Sequence, residues 1–342
     1  MLNELKHLCA LSGVSSFEDG VRSYILQQAK PYVDEITVDA MGNLILFKNG
    51  AKRTGNKLML CAHMDEVGLM VTSITDDGYL KFDFVGGVDR RVAIGKRVLV
   101  GEKGIPGVIG IKAYHLVSRE EEKSVPKTES MYIDIGAKDK ESAQKLVSLG
   151  DYAVFDSDWV EFGDGLVKAK ALDDRVGCAI MLALLKEELP MDVTFAFTVQ
   201  EEVGTRGAFG AAFRVTPQIA LVLETTTAAD LPSSAEHQQV CAPGKGPVVP
   251  FMDGGTIYDR GLFEQLRQLA QDNQIPWQPK HYVAGGTDAR AVQRTKAGVR
   301  VAGMAAAVRY LHAPSSVGCT KDFEHMLRLT RLFVAQLARE EE

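Results

Sequence analysis

Two histidines and a group of carboxylates stand where short apolar runs stop. The run KLMLCA at 57–62 ends at His63, and the run at 193–199 leads into Glu201 and Glu202. Another at 219–223 ends at Glu224, and a fourth at 299–304 leads through a short loop to His312. Short apolar runs of this kind read as buried strands, and in open α/β sheets the carboxyl ends of strands line the ligand crevice. Imidazoles and carboxylates delivered to one rim are a ligand set for zinc, cobalt or manganese. Asp173 stands at the mouth of a helical pattern (Val176, Ile180, Leu184) and is available as a carboxylate that bridges two such ions. Asp65, two residues after His63, is placed to take the second ring N–H of that imidazole and fix its tautomer. Glu201 and Glu202 are chain neighbours that cannot comfortably bind one ion together, so one ligand and one free base is the economical division.

Each of these residues also has a structural reading. A strand-end histidine can be a satisfied polar group, Asp173 and Asp174 a helix N-cap, and Glu201-Glu202 a solvated loop end. Their joint placement carries the metal reading. No G-x-S-x-G elbow, H-E-x-x-H, phosphate loop or post-strand G-x-G-x-x-G is present. His7 and His325 fall in surface helices and His115 in a separate β-rich segment, while His237 and His281 are left undecided, with structural roles favoured.

The elements that must position these groups are legible from period and punctuation. Ser-Ser-Phe-Glu at 15–18 reads as a capping box opening a helix with Val21, Ile25 and Ala29 on its inner face. EITVDAMGNLILFKNG reads as a hairpin around Met-Gly-Asn. From 69 to 155 the text is short β-type runs split by Asp77-Gly78, Gly86-Gly87 and Gly101-Glu102-Lys103-Gly104, with one helical stretch over 140–149. The expected architecture is therefore an α/β sheet domain over 1–68 and 156–342, split by an inserted β-barrel-like domain at 69–155.

Composition narrows the partners. The chain has 342 residues, a formal net charge of -6, 46% hydrophobic and 25% charged residues, which is ordinary for a globular protein. No basic stripe suggests nucleic acid, no apolar run reaches the length of a membrane span, and no leader peptide is visible. The five cysteines are scattered without a C-x-x-C pair, which favours reduced thiols and a cytoplasmic location.

The segments AHMDEVG (62–68), GVIGIKAYHL (107–116), YIDIGAKDKESA (132–143), ALDDRVGC (171–178), TVQEEVGTRGA (198–208), GGTDA (285–289) and RYLHAPSSV (309–317) follow one another across nearly the whole chain. In content and order they resemble the glutamyl aminopeptidase and tetrahedral aminopeptidase family of dinuclear metallopeptidases. The resemblance implies an α/β/α catalytic domain with a mixed sheet and a PDZ-like inserted dimerisation domain, with dimers assembling into dodecamers. It implies two divalent ions per subunit, zinc or cobalt with manganese as a further option. One ion would sit on His63 and Glu224, the other on Glu202 and His312, with Asp173 between them. Glu201 would be the general base, Asp65 the partner of His63, and Asp174 would join Asp173 through a cis peptide. The activity implied is removal of N-terminal residues from peptides, with an acidic residue as the expected preference and Arg290 or Arg206 as its reader. Two positions depart from the family pattern: Glu224 stands where aspartate is common, and Arg290 follows GGTDA where a small residue is common. An N-acyl amino-acid hydrolase is the alternative activity, a glycosidase a third, and an inactive scaffold the reading from outside enzymology.

Overall fold

Strands that are apolar along their whole length need cover on both faces, and here they form the parallel centre of one sheet. The computed structural model describes residues 1–232 and 234–340. Its 11-stranded sheet carries Val193–Thr198, Leu58–His63, Ile219–Thr227 and Arg300–Arg309 side by side and parallel. Antiparallel strands extend the sheet on both sides: Leu44–Lys48 and Glu35–Val38 at one edge, Ser316–Cys319, Leu166–Ala169 and Val160–Phe162 at the other.

Alternation along Leu58–His63 divides the core into two layers. Leu58, Leu60 and Ala62 face a large apolar cluster shared with the helices Leu2–Ala10, Asp19–Ala29, Leu172–Leu185 and Thr320–Arg339. Met59 and Cys61 face a second cluster that includes residues of Arg206–Val215 and Ala289–Gln293. Helices thus cover both faces, and the fold is the expected α/β/α arrangement on a mixed sheet. The strands Gly68–Ile74, Leu80–Val85, Arg97–Val100, Ile105–Gly110, Tyr132–Asp134 and Tyr152–Phe155 close into a separate antiparallel barrel with its own core. No helix among the described residues is long and apolar enough to cross a membrane.

Three local expectations are corrected. Residues 15–18 do not cap a helix: the helix begins at Asp19 with no side-chain cap bond, because the Ser15 and Glu18 side chains are engaged elsewhere. The helical stretch at 140–149 shrinks to Lys140–Gln144, opened by a capping box between Asp139 and Ser142. The strand expected to stop before Glu224 continues to Thr227. Its pairing with Leu58–His63 ends at Val222 opposite Cys61, so Glu224 still lies level with His63.

The hairpin turn has a role beyond reversing the chain. Asn43, fully buried, accepts from Val199 N at 3.0 Å and donates to Gly207 O at 2.9 Å and Asp39 Oδ2 at 2.6 Å. One side-chain amide thereby fastens the exit of the strand Val193–Thr198 to the start of the helix Arg206–Val215, fixing both ends of the segment that carries Glu201 and Glu202.

Candidate metal centre

The parallel register brings the expected ligands to one edge. Thr198 pairs with His63, so Glu201 and Glu202 emerge beside the imidazole. Asp173 comes from the helix Leu172–Leu185, whose first turn is not helical at Asp173 or Asp174, and the peptide between those two residues is cis. His312 sits in the turn between the strands Arg300–Arg309 and Ser316–Cys319, with φ at +57°.

Two groups of side chains can hold an ion: His63, Asp173 and Glu224, and Asp173, Glu202 and His312. In each group the donor atoms lie within 4.8 Å of one another. His63 Nε2 is 3.3 Å from Asp173 Oδ1 and 3.3 Å from Glu224 Oε1. His312 Nε2 is 3.2 Å from Asp173 Oδ2 and 3.3 Å from Glu202 Oε2. Asp173 therefore turns one oxygen to each imidazole. Its Oδ1 is buried and accepts no hydrogen bond of acceptable geometry, despite the nearby imidazole nitrogen. An oxygen so placed, among nitrogen and carboxylate donors, fits a cation.

The far ring nitrogens are fixed from behind. His63 Nδ1 lies 3.1 Å from Asp65 O and 3.4 Å from Asp65 Oδ1. His312 Nδ1 lies 3.2 Å from Gly87 O, a carbonyl of the barrel segment. A proton on each Nδ1 donates to these acceptors and leaves the Nε2 lone pairs facing Asp173. Asp65 does more than orient His63: its Oδ1 accepts from Glu201 N at 3.0 Å, and its Oδ2 from Glu202 N at 3.1 Å and Ser15 Oγ at 2.6 Å.

Electrostatics follow from crowding. Burial, then the charges of Asp288, Glu224 and Asp173, push Glu201 well above the usual carboxylate range, although His63 opposes them. Burial and the Asp173 and Glu201 charges do the same to Glu202. Glu224 is pushed up to about 8, by burial first and then by Asp173. Asp173 moves the other way: burial works against its ionisation, but the His312 and His63 imidazoles hold it well below the usual range. Carboxylates outnumber imidazoles here, and divalent cations would supply the compensating charge.

Several participants were not visible as site residues in the sequence. Asp288, buried in the GGTDA segment, accepts from Thr198 Oγ1 at 2.5 Å beneath His63, and its Oδ1 has no partner. Glu66 accepts from Lys170 Nζ at 2.7 Å and from Gly13 N at 3.1 Å, and Arg175 Nη2 lies 3.5 Å away. This buried trio brackets the Asp173-Asp174 turn. Glu66, Arg175 and Asp288 all lie inside motif segments, which was the available signal. Arg206 and Arg290 are exposed, and neither lines the pocket formed by Asp173, Glu202 and His312. The Arg290 stem covers Gly255, where a Cβ would come within 2.7 Å of Arg290 Cδ. Neither His237 nor His281 joins a metal-capable group among the described residues.

Comparison with known proteins places the chain in a family. Residues 42–329 match the M42 glutamyl aminopeptidase family. An aminopeptidase from the archaeon Desulfurococcus kamchatkensis is 35% identical with a TM-score of 0.92, covering 97% of this chain and 93% of its own. The TET1 peptidase of Pyrococcus horikoshii, described as assembling into a tetrahedron or a large octahedral shell, is 36% identical with a TM-score of 0.86, covering 97% and 98%. The lysyl aminopeptidase of Pyrococcus furiosus is 30% identical over 97% of this chain and 96% of its own. A family match over most of the chain, together with relatives similar from end to end, places this protein: it belongs to the M42 glutamyl aminopeptidase family.

Proposed function

We propose that the chain removes N-terminal residues from peptides by metal-dependent hydrolysis. His63 and Glu224 would hold one divalent ion and Glu202 and His312 a second, with Asp173 available to both. The observation that carries this reading is the orientation of Asp173, whose two oxygens face His63 Nε2 at 3.3 Å and His312 Nε2 at 3.2 Å. When bound there, two ions would supply Lewis acidity toward a peptide carbonyl and lower the pKa of water toward neutrality.

The chain's own groups do the rest. Glu201 is the general base: it takes a proton from the attacking water and passes it to the nitrogen of the leaving amine. Asp65 fixes the Glu201 and Glu202 amides and the rear of the His63 ring at once. Five buried free cysteines fit a reducing compartment, which supports a cytoplasmic location. The division of roles has a direct test. Glu201→Gln should keep its metal and lose roughly 10²–10⁴-fold in kcat, whereas Glu202→Gln and His312→Ala should lose bound metal. Equal metal loss in all three, measured by elemental analysis, would contradict the assignment.

For selectivity we assign Arg290, with Arg206 second, as the reader of an acidic N-terminal residue. Both are exposed, and a guanidinium pairs bidentately with a carboxylate. The lysyl aminopeptidase among the relatives marks the competing outcome. Comparison of kcat/KM for Glu, Leu and Lys anilides should rank Glu first, and Arg290→Ala should erase the difference. A wild type that prefers Leu or Lys overturns the preference; an unchanged ratio in the variant removes Arg290 as its source.

Residues 69–155 are assigned as the association domain. Tyr114 is 78% and Leu116 60% exposed, a burial opportunity that a second copy can use, and the TET1 peptidase supports the reading. Light scattering on the intact chain should report a large homo-oligomer, and a Tyr114→Lys, Leu116→Lys double variant should release smaller species. A monomeric intact chain at micromolar concentration would rule this out.

A further inference from the structure

We propose that residues 13–18 form a positioning strap that sets the turn carrying Glu201 and Glu202 and ties it to the inserted barrel. The inference rests on Glu201 as the base. The pattern Ser-x-x-Glu suggests a helix cap, yet neither side chain caps the helix that follows. Both polar groups are spent on the catalytic turn instead.

Ser15, nearly inaccessible at 3% exposure, donates to Asp65 Oδ2 at 2.6 Å. The same oxygen accepts Glu202 N, while Oδ1 accepts Glu201 N. The carboxylate torsion of an aspartate is broad, so the plane of Asp65 is set by its donors. Without Ser15 that plane can swing, and both amides lose alignment together. Glu18 holds the residue just before. Its Oε1 accepts Ser16 N at 2.9 Å and Gln200 N at 3.1 Å. Gln200 has φ at +57°, a left-handed conformation that a non-glycine residue keeps only when its surroundings impose it. Glu18 is one of those impositions, and it starts the sharp turn that delivers Glu201.

The other face of the strap meets the barrel. The Phe17 ring lies 4.8 Å from that of Tyr152, and Val14 and Phe17 pack with Tyr152, Val154, Val85 and Leu99. At Gly68, where the barrel begins, a Cβ would come within 2.4 Å of Val14 Cγ2. Glu66 N donates to Gly13 O at 2.9 Å, which locks the strap to the end of the His63 segment. One short stretch of chain thus touches the barrel, the His63 segment and the base-bearing turn. Displacements at the barrel reach Glu201 through it.

The test combines amide hydrogen exchange with kinetics on the metal-loaded, full-length chain. In Ser15→Ala and Glu18→Met, exchange at 200–202 should accelerate while the strand Val193–Thr198 stays protected. At saturating metal, turnover should fall roughly 10-fold or more, the scale of lost outer-shell support, with KM unchanged. Ser15→Thr, which keeps a hydroxyl, and Glu18→Gln, which keeps an acceptor, should recover most of what is lost. Phe17→Leu, which touches no acceptor, should accelerate the same amides to a smaller degree. Wild-type exchange and turnover in Ser15→Ala and Glu18→Met would overturn the proposal. So would acceleration spread evenly over the whole sheet, which marks general destabilisation. If Ser15→Ala does not fold, Glu18→Met carries the same comparison, since it leaves the bond to Asp65 in place. A wild type without turnover would sink the base assignment itself, while the exchange comparison would still report on the strap.

Discussion

Carboxylates gathered in a buried site repel one another, and the architecture of this chain is organised around containing that repulsion. Glu201, Glu224, Asp173 and Asp288 each raise the pKa of at least one neighbour. Left free, such groups would swing apart or take up protons. Most are held instead by main-chain amides and rigid elements. Glu201 and Glu202 hang from the Asp65 carboxylate through their own N–H groups, Glu224 accepts the next amide, Thr225 N, at 3.1 Å, and Asp173 sits at the mouth of the helix Leu172–Leu185. What fixed donors cannot neutralise, cations can, and the clustering of nitrogen and oxygen donors on both sides of Asp173 suits two of them.

The sheet alone does not complete this arrangement. His63 and the Glu201-Glu202 turn are held by parallel neighbours and by Asn43, but His312 lies on a turn and is oriented by Gly87 O. The barrel insertion therefore has a part in the site even though it contributes no metal-capable side chain among the described residues. Residues 13–18 also touch both, through Phe17 on Tyr152 and Ser15 on Asp65.

Much of the site was legible because its residues follow apolar strands, and strand ends in α/β sheets converge. His63 and Glu202 could be placed this way, and so could His312, although its strand runs on to Arg309. Glu224 was found for a partly wrong reason, since its strand runs on to Thr227 and only the end of the pairing with Leu58–His63 marks the rim. What stayed hidden depends on contacts distant in sequence. The Lys170–Glu66 pair spans 104 positions, and the His312–Gly87 contact spans 225. Local pattern misled at Ser15 and Glu18 for the same reason: a capping-box signature scores only near neighbours, whereas Asp65 and Gln200 N compete for those side chains across the fold. The barrel was legible from its turn signals, and pairing between Gly68–Ile74 and Tyr152–Phe155, the two ends of the segment, helps close it.

The central claim is that one carboxylate, Asp173, lies between two cations. Anomalous diffraction from crystals soaked in zinc or cobalt tests it most directly. The account predicts two peaks roughly 3.5–4 Å apart, one among His63, Asp173 and Glu224 and the other among Asp173, Glu202 and His312. A single peak at saturating metal, or two peaks of which Asp173 touches only one, would contradict it.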